Sequence, residues 1–387
     1  MSRTKKEALL LLEDGSKFYG SGFGADADIV GEVVFNTGMV GYCESMTDPS
    51  YAGQILCFTY PMVGNYGVPP YGNRDGFGLP RFFESDSIKV KGIVVQEACQ
   101  FPSHWASRLS LGQWLSSEDI PGIEGVDTRA LVTKLREAGV MMGVLACGSE
   151  AQDEDGLAMR LRNAAKYSSQ NFVQGVSVSK PVTYGESDKR IALLDCGTKF
   201  GIVRNLLSRG FQVIRLPYDA DFSEVMKYDP AGVVLSNGPG DPQILMQTSK
   251  CVGSLIESDV PVLGVCLGEQ VVGMSQGVET FKLKYGHRGQ NKPCLDLTTG
   301  RGYVTSQNHG YALEKQSLSK TELRPWFVNA DDGTIEGVIH SHKPCMAVQF
   351  HPEATPGPYD TNFVFDRFVE MTEGSRFRGE QIRSAKA

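Results

Sequence analysis

Cys266 has the surroundings of a nucleophile. It stands in Gly264-Val265-Cys266-Leu267-Gly268, directly after the apolar run Val262-Leu263 and just before a stretch with helical character from Gln270. A strand that turns sharply into a helix crowds its own backbone, so small residues two positions to either side of the cysteine are what such a turn requires, and the turn lifts the thiol into a cleft. The helix start favours a thiolate by only about 0.3–1 kcal/mol, which leaves most of the activation to a nearby base. A base of the right kind lies in Gln349-Phe350-His351-Pro352-Glu353, after Met346-Ala347-Val348. Residues two apart in extended chain point the same way, so Glu353 can hold one imidazole nitrogen of His351 and leave the other to face a thiol. A third segment, Ser236-Asn237-Gly238-Pro239-Gly240-Asp241-Pro242, follows the strand-like run from Gly232 to Leu235. It can turn bare backbone N–H groups toward a developing oxyanion, and it lacks the lysine of a phosphate-binding loop. Taken singly, each has a plainer reading: a buried cysteine between packing glycines, a structural histidine, a Gly-Pro loop. Together they describe nucleophilic acyl transfer through a Cys-His-Glu triad.

Such groups need a frame that brings distant segments together. After Lys189, short apolar strands at Ile191 to Asp195, Phe211 to Leu216, Gly232 to Leu235 and Val262 to Val265 alternate with amphipathic stretches such as Ile202, Val203, Leu206 and Leu207. That alternation predicts a doubly wound α/β domain over residues 189–375, with sites at the carboxyl ends of its parallel strands, and a tail at 376–387. Residues 1–148 read as a strand-rich mixed domain. They open with an apolar strand, an Asp14-Gly15 turn and a second strand-like run, and later hold a helix with Asp127 or Thr128 as cap, Leu131 and Leu135 on one face and Gly139 as stop. The intervening residues 149–188 are polar and poor in aromatic anchors, with one helix near Leu157 to Ala165, and read as a linker region.

Composition narrows the class of activity. The 387 residues suffice for about two domains, and a formal net charge of -7 gives neither a basic footprint for nucleic acid nor a polybasic stretch for a membrane surface. Nine cysteines without a C-x-x-C pair argue against a disulfide framework and against a zinc site. The apolar run from Ala8 to Leu12 is too short for a secretory signal, and no stretch has the length of a bilayer span, so a cytoplasmic protein acting on a small molecule is expected.

Gly264 to Gln270, His351-Pro352-Glu353 and the Ser236 to Pro242 turn, in this order and spacing, resemble the class I glutamine amidotransferase family. The amino-terminal part resembles the small chain of carbamoyl-phosphate synthases. This likeness rests on Gly31-Glu32-Val33-Val34-Phe35-Asn36-Thr37-Gly38-Met39, Thr47-Asp48-Pro49-Ser50-Tyr51, Thr59-Tyr60-Pro61, Gly64-Asn65 and Gly125-Val126-Asp127-Thr128-Arg129, and the similarity runs from about Ala8 to Val369. The resemblance implies Cys266 as nucleophile, His351 as general acid/base and Glu353 as the orienting carboxylate. It implies that backbone groups of Gly240 and Leu267 stabilise the oxyanion. Ser50, Gly238, Gln270, Asn308, Gly310 and Tyr311 would then hold L-glutamine, with Ser50 reaching across from the other domain. The implied activity is hydrolysis of L-glutamine to glutamate and ammonia. The ammonia would pass to a separate large subunit that makes carbamoyl phosphate from bicarbonate and two ATP, for arginine or pyrimidine biosynthesis or both. No cofactor or metal is expected in this chain; ATP and Mg are expected on the large subunit.

Two other readings are weighed. A glutaminase of an anthranilate or guanylate synthetase would lack the amino-terminal domain, and a silent scaffold would have no reason to retain Cys266, His351 and Glu353 together. One residue departs from the family pattern: Glu269 stands where the family very often has His. A carboxylate near a thiol disfavours the thiolate, so Glu269→His is expected to leave activity intact or raise it.

Overall fold

The apolar run near the amino terminus becomes the strand Lys6–Leu12, which is buried on both faces. Leu9 and Leu11 pack against Leu157 and Leu161 of the helix Glu154–Asn163, while Leu10 and Leu12 are fully buried on the alternate side. The computed structural model describes residues 6–374, so the expected tail at 376–387 lies outside the described residues. The chain divides into two units, Met1–Phe172 and Val173–Ala387.

In the first unit seven strands close into a barrel. Its order is Lys6–Leu12, Lys17–Gly24, Pro121–Glu124, Gly92–Val94, Gln54–Phe58, Asp28–Asn36 and Met141–Cys147, which pairs back to the first. Closure leaves no free edge among these strands. The helix Thr128–Ala138 forms where its periodicity places it: Asp127 Oδ1 accepts from Ala130 N at 2.9 Å, and Gly139 ends it with φ 102°.

In the second unit a ten-stranded sheet runs Val182–Tyr184, Gln212–Pro217, Arg190–Asp195, Gly232–Leu235, Val262–Val265, Cys345–Val348, Ile335–His340, Leu323–Asn329, Thr280–Asp296, Gly302–Leu313. The five strands from Gln212–Pro217 to Cys345–Val348 are parallel; those flanking them are antiparallel. An apolar cluster including Ala192, Leu194, Val233, Leu235, Val262 and Ala347 forms the core beside the helices Met246–Glu257 and Leu267–Ser275. The doubly wound expectation covers the parallel half. The antiparallel half carries few continuous apolar runs, since most of Thr280–Asp296 is at least partly exposed, and its periodicity is correspondingly weak.

The polar stretch 149–188 is divided between the units. Its helix Glu154–Asn163, capped by Asp153, packs on the barrel through only two buried leucines, which is why its composition reads as a connector. Its strand Val182–Tyr184 forms an edge of the large sheet.

Candidate active site

The strand Val262–Val265 lies between Gly232–Leu235 and Cys345–Val348, and the helix Leu267–Ser275 starts one residue after it ends. Cys266 makes the turn alone, at φ 56° and ψ −106°, a backbone conformation costing about 1–3 kcal/mol in a residue with a side chain. It is held there by Cys266 N donating to Val348 O at 2.8 Å and by Glu269 N donating to Cys266 O at 3.0 Å. The flanking glycines are required by contact with backbone. A Cβ on Gly264 would lie 2.6 Å from Gly268 O, and one on Gly268 would lie 2.4 Å from Leu235 O. Gly268→Ala is therefore expected to destabilise the unit by about 1–3 kcal/mol, read as a lower urea midpoint at unchanged slope. An unchanged midpoint would mean that the turn has room the geometry does not show.

The Cys266 thiol is 2% exposed, with Sγ 3.6 Å from Asn308 O on the strand Gly302–Leu313. His351 follows the strand Cys345–Val348, and its N donates to Ser306 O at 2.8 Å, which ties it to the same strand as Asn308. Its Nδ1 is 2.7 Å from Glu353 Oε1, while Nε2 has no hydrogen-bond partner among the described residues. Burial lowers the proton affinity of this imidazole, but the Glu353 carboxylate outweighs it and the nearby Cys266 adds to it, so its pKa is pushed up to about 10.

Glu353 itself is fully buried. Burial would raise its pKa, yet Lys199 and His351 pull it down to about 2. Lys199 is the residue that sequence reasoning missed. Only 2% of its side chain is exposed, and its Nζ lies 2.9 Å from Glu353 Oε1 and donates to Ala354 O at 2.7 Å. Its place is built from the end of the strand Arg190–Asp195, where Asp195 Oδ1 accepts from Gly197 N at 3.1 Å and Thr198 N at 2.8 Å. Lys199 N then donates to Asn237 Oδ1 at 3.1 Å, in the loop after the next parallel strand. The rule that sites gather at the carboxyl ends of parallel strands would have pointed to it, because Gly197-Thr198-Lys199 follows such an end.

The other expected residues of this unit fall as follows. A Cβ on Gly238 would lie 2.1 Å from Cys196 O and 2.8 Å from Leu267 Cδ2, so the bare backbone of Gly238 is packed between the neighbouring strand end and the first residue of the helix Leu267–Ser275. Gly240 has φ +93°, the left-handed region that favours glycine. Gln270 Nε2 donates to Tyr311 O at 2.9 Å, which links the helix Leu267–Ser275 to the strand carrying Asn308, Gly310 and Tyr311. Ser50 belongs to the first unit, where it is buried in the turn Pro49–Tyr51 and its N donates to Asp48 Oδ1 at 2.9 Å.

Glu269 changes meaning in the structure. The side chain is fully buried, and burial, then the charge of Glu336 and then Cys266, holds its pKa well above the usual carboxylate range. Burial thus favours its neutral form, which weakens the electrostatic objection raised from the sequence. The Gln349 amide satisfies both its ends when its NH2 donates to Glu269 Oε2 at 3.1 Å and to Tyr311 O at 3.3 Å. Glu269→Gln, which keeps size and neutrality, is expected to leave glutamine turnover within about threefold of wild type. A large loss would mean that the acidic proton itself is needed.

Comparison with known proteins gives the family of each part of the chain. Residues 10–145 match the family described as carbamoyl-phosphate synthase small chain, CPSase domain, and residues 192–371 match glutamine amidotransferase class-I. A carbamoyl phosphate synthase small chain of Pyrococcus furiosus is 46% identical over 376 residues, covering 96% of this chain and 99% of its own. One of Listeria monocytogenes is 45% identical over 366 residues, covering 95% of this chain and 97% of its own. Among solved structures, a glutamine amidotransferase of Thermotoga maritima matches with TM-score 0.33 and 14% identity, covering 50% of this chain and 88% of its own. Joined in one polypeptide, the two domain matches and the near-full-length relatives place this chain in the carbamoyl-phosphate synthase small-chain family, with a class I glutamine amidotransferase domain as its second part.

Proposed function

We propose that the second unit hydrolyses L-glutamine to glutamate and ammonia through Cys266, His351 and Glu353, and that the chain delivers the ammonia to a carbamoyl-phosphate synthase large subunit. The observation that carries this reading is the buried line from Cys266 through His351 and Glu353 to Lys199. Cys266 attacks the side-chain amide carbon, and backbone N–H groups of Gly240 and Leu267 stabilise the resulting oxyanion. His351 gives its proton to the departing nitrogen, leaving a glutamyl thioester, then takes one from water as that water attacks the thioester. Glu353 holds the imidazole in orientation throughout. Ser50, Gly238, Gln270, Asn308, Gly310 and Tyr311 hold the substrate. ATP and Mg act on the large subunit, in the cytoplasm, and the carbamoyl phosphate formed there serves arginine or pyrimidine synthesis or both.

A proton on His351 is needed for the leaving group, and Glu353 keeps it there. Glu353→Gln removes the main influence that raises the imidazole pKa and leaves burial and Lys199, both of which lower it. The alkaline limb of the kcat/KM profile is thus expected to move to lower pH by about one unit or more. A limb that stays in place would assign it to another group.

The function is tested by glutamate release from glutamine, measured for the chain alone and with a candidate large subunit, bicarbonate and ATP, using Cys266→Ser as the blank. Release above the blank that rises with the partner supports the proposal. No release even with the partner favours a silent scaffold.

A further inference from the structure

Three fully or nearly fully buried side chains, on three antiparallel strands of the second unit, converge at one point. His287 on Thr280–Asp296 and His309 on Gly302–Leu313 are register partners, Glu336 lies on Ile335–His340, and one ligand atom from each falls within 4.8 Å of the others. Glu336 Oε1 is 3.2 Å from His287 Nδ1 and 3.7 Å from His309 Nε2. The remaining nitrogen of each ring is already engaged: His287 Nε2 lies 2.9 Å from Asp332 Oδ2, and His309 Nδ1 lies 2.9 Å from Tyr311 O. An imidazole whose outer nitrogen donates to a carboxylate or a backbone carbonyl can turn its bare nitrogen inward, the arrangement around metal-ligating histidines.

Two further observations point to a cation. Ligand atoms about 2.0–2.1 Å from a tetrahedral zinc lie roughly 3.3–3.5 Å from one another, and the two measured separations bracket that range. The Glu336 carboxylate is wholly buried: its Oε1, the atom turned to both rings, also accepts from Asn329 Nδ2 at 3.1 Å, while Oε2 has no hydrogen-bond partner among the described residues, and an unsatisfied buried oxygen costs about 1–3 kcal/mol. A cation placed between the three groups would bind that carboxylate through Oε1 and offset the cost of burying it.

We propose that His287, His309 and Glu336 bind one divalent cation of the zinc type, with Gln307 Oε1, 3.4 Å from His309 Nε2, or a water as the fourth ligand. The site is structural. It ties together three strands behind the segment that presents Asn308 to Cys266, and it takes no part in the chemistry. Asp332, whose side chain is 43% exposed, gives it an edge toward solvent. The three residues are spread over three strands without a short spacing motif, so a metal could not be expected from their spacing along the chain.

The test uses the full chain stripped with a chelator and then titrated with Co2+ and Zn2+. Wild type is expected to bind about one Co2+ with the visible absorption of a four-coordinate nitrogen and oxygen site, and Zn2+ is expected to displace it and raise the unfolding midpoint. Glu336→Gln should abolish the band. Asp332→Asn, at the exposed edge and so the safer variant for folding, should weaken Co2+ affinity by about 10–100-fold. The proposal is overturned if wild type binds no stoichiometric Co2+, if the spectrum shows thiolate ligation, or if Asp332→Asn binds as wild type does. Metal content and spectrum are read independently of glutamine turnover, so this inference and the glutaminase assignment can fail separately.

Discussion

Cys266→Ser should reduce glutamate release from glutamine by a factor on the order of 10³ or more, with the fold and stability retained. The loss is expected to be this large because the site offers no second nucleophile at that position. The turn at φ 56° holds one side chain beside His351, and a serine hydroxyl there is far less readily ionised than a thiol. Oxygen and sulfur are similar in size, so the packing around the 2%-exposed side chain should change little. Stopped assays of glutamate formation, with circular dichroism as a check on folding, measure both parts. A serine variant that keeps more than about a tenth of wild-type turnover would remove Cys266 from the reaction.

Lys199→Met should be the most destabilising single change in the site, by about 3–5 kcal/mol, with loss of turnover as well. Methionine fills much of the same volume, so the loss follows from charge. Glu353 would remain wholly buried without the cation 2.9 Å away, and Ala354 O would lose its donor. The pH dependence carries a sign. Glu353 is depressed from 4.5 to about 2 in the folded chain, so its contribution to stability is present above pH 4.5 and is lost as pH falls toward 2. Without Lys199 its folded pKa rises, and that contribution shrinks at every pH above 4.5. Urea midpoints of both proteins at pH 7 and pH 4 measure this, and equal midpoints at pH 7 would show that the lysine is not needed to hold the carboxylate.

What could be read from the chain in advance followed physical locality. Cys266 with its two glycines, and His351 with Glu353, are each decided within about five residues by a strand end and a short-range geometric rule, so the bare sequence carries them. Lys199 is different. Nothing beside it says that its ammonium is buried, since that depends on Glu353 and Ala354 far along the chain. The charge state of Glu269 could not be read either, because it is set by burial and by Glu336 on another strand. The antiparallel half of the sheet was hidden for a related reason: strands with one partly exposed face show little apolar contrast over short windows.

Cys266 comes one residue after Val265, and Val265 is the register partner of Val348, three residues before His351. Cys266 and His351 are therefore spaced by the rung of a parallel ladder, and the turns between them can vary in length without altering that spacing. Within Leu267 to Pro344, Gly268 in the turn and Ser306 and Asn308 on one strand touch the pair and are held to it, so variation in length belongs to the turns away from them. Insertions or appended surfaces at those turns can accumulate while Cys266 and His351 stay where they are, provided the ladder closes.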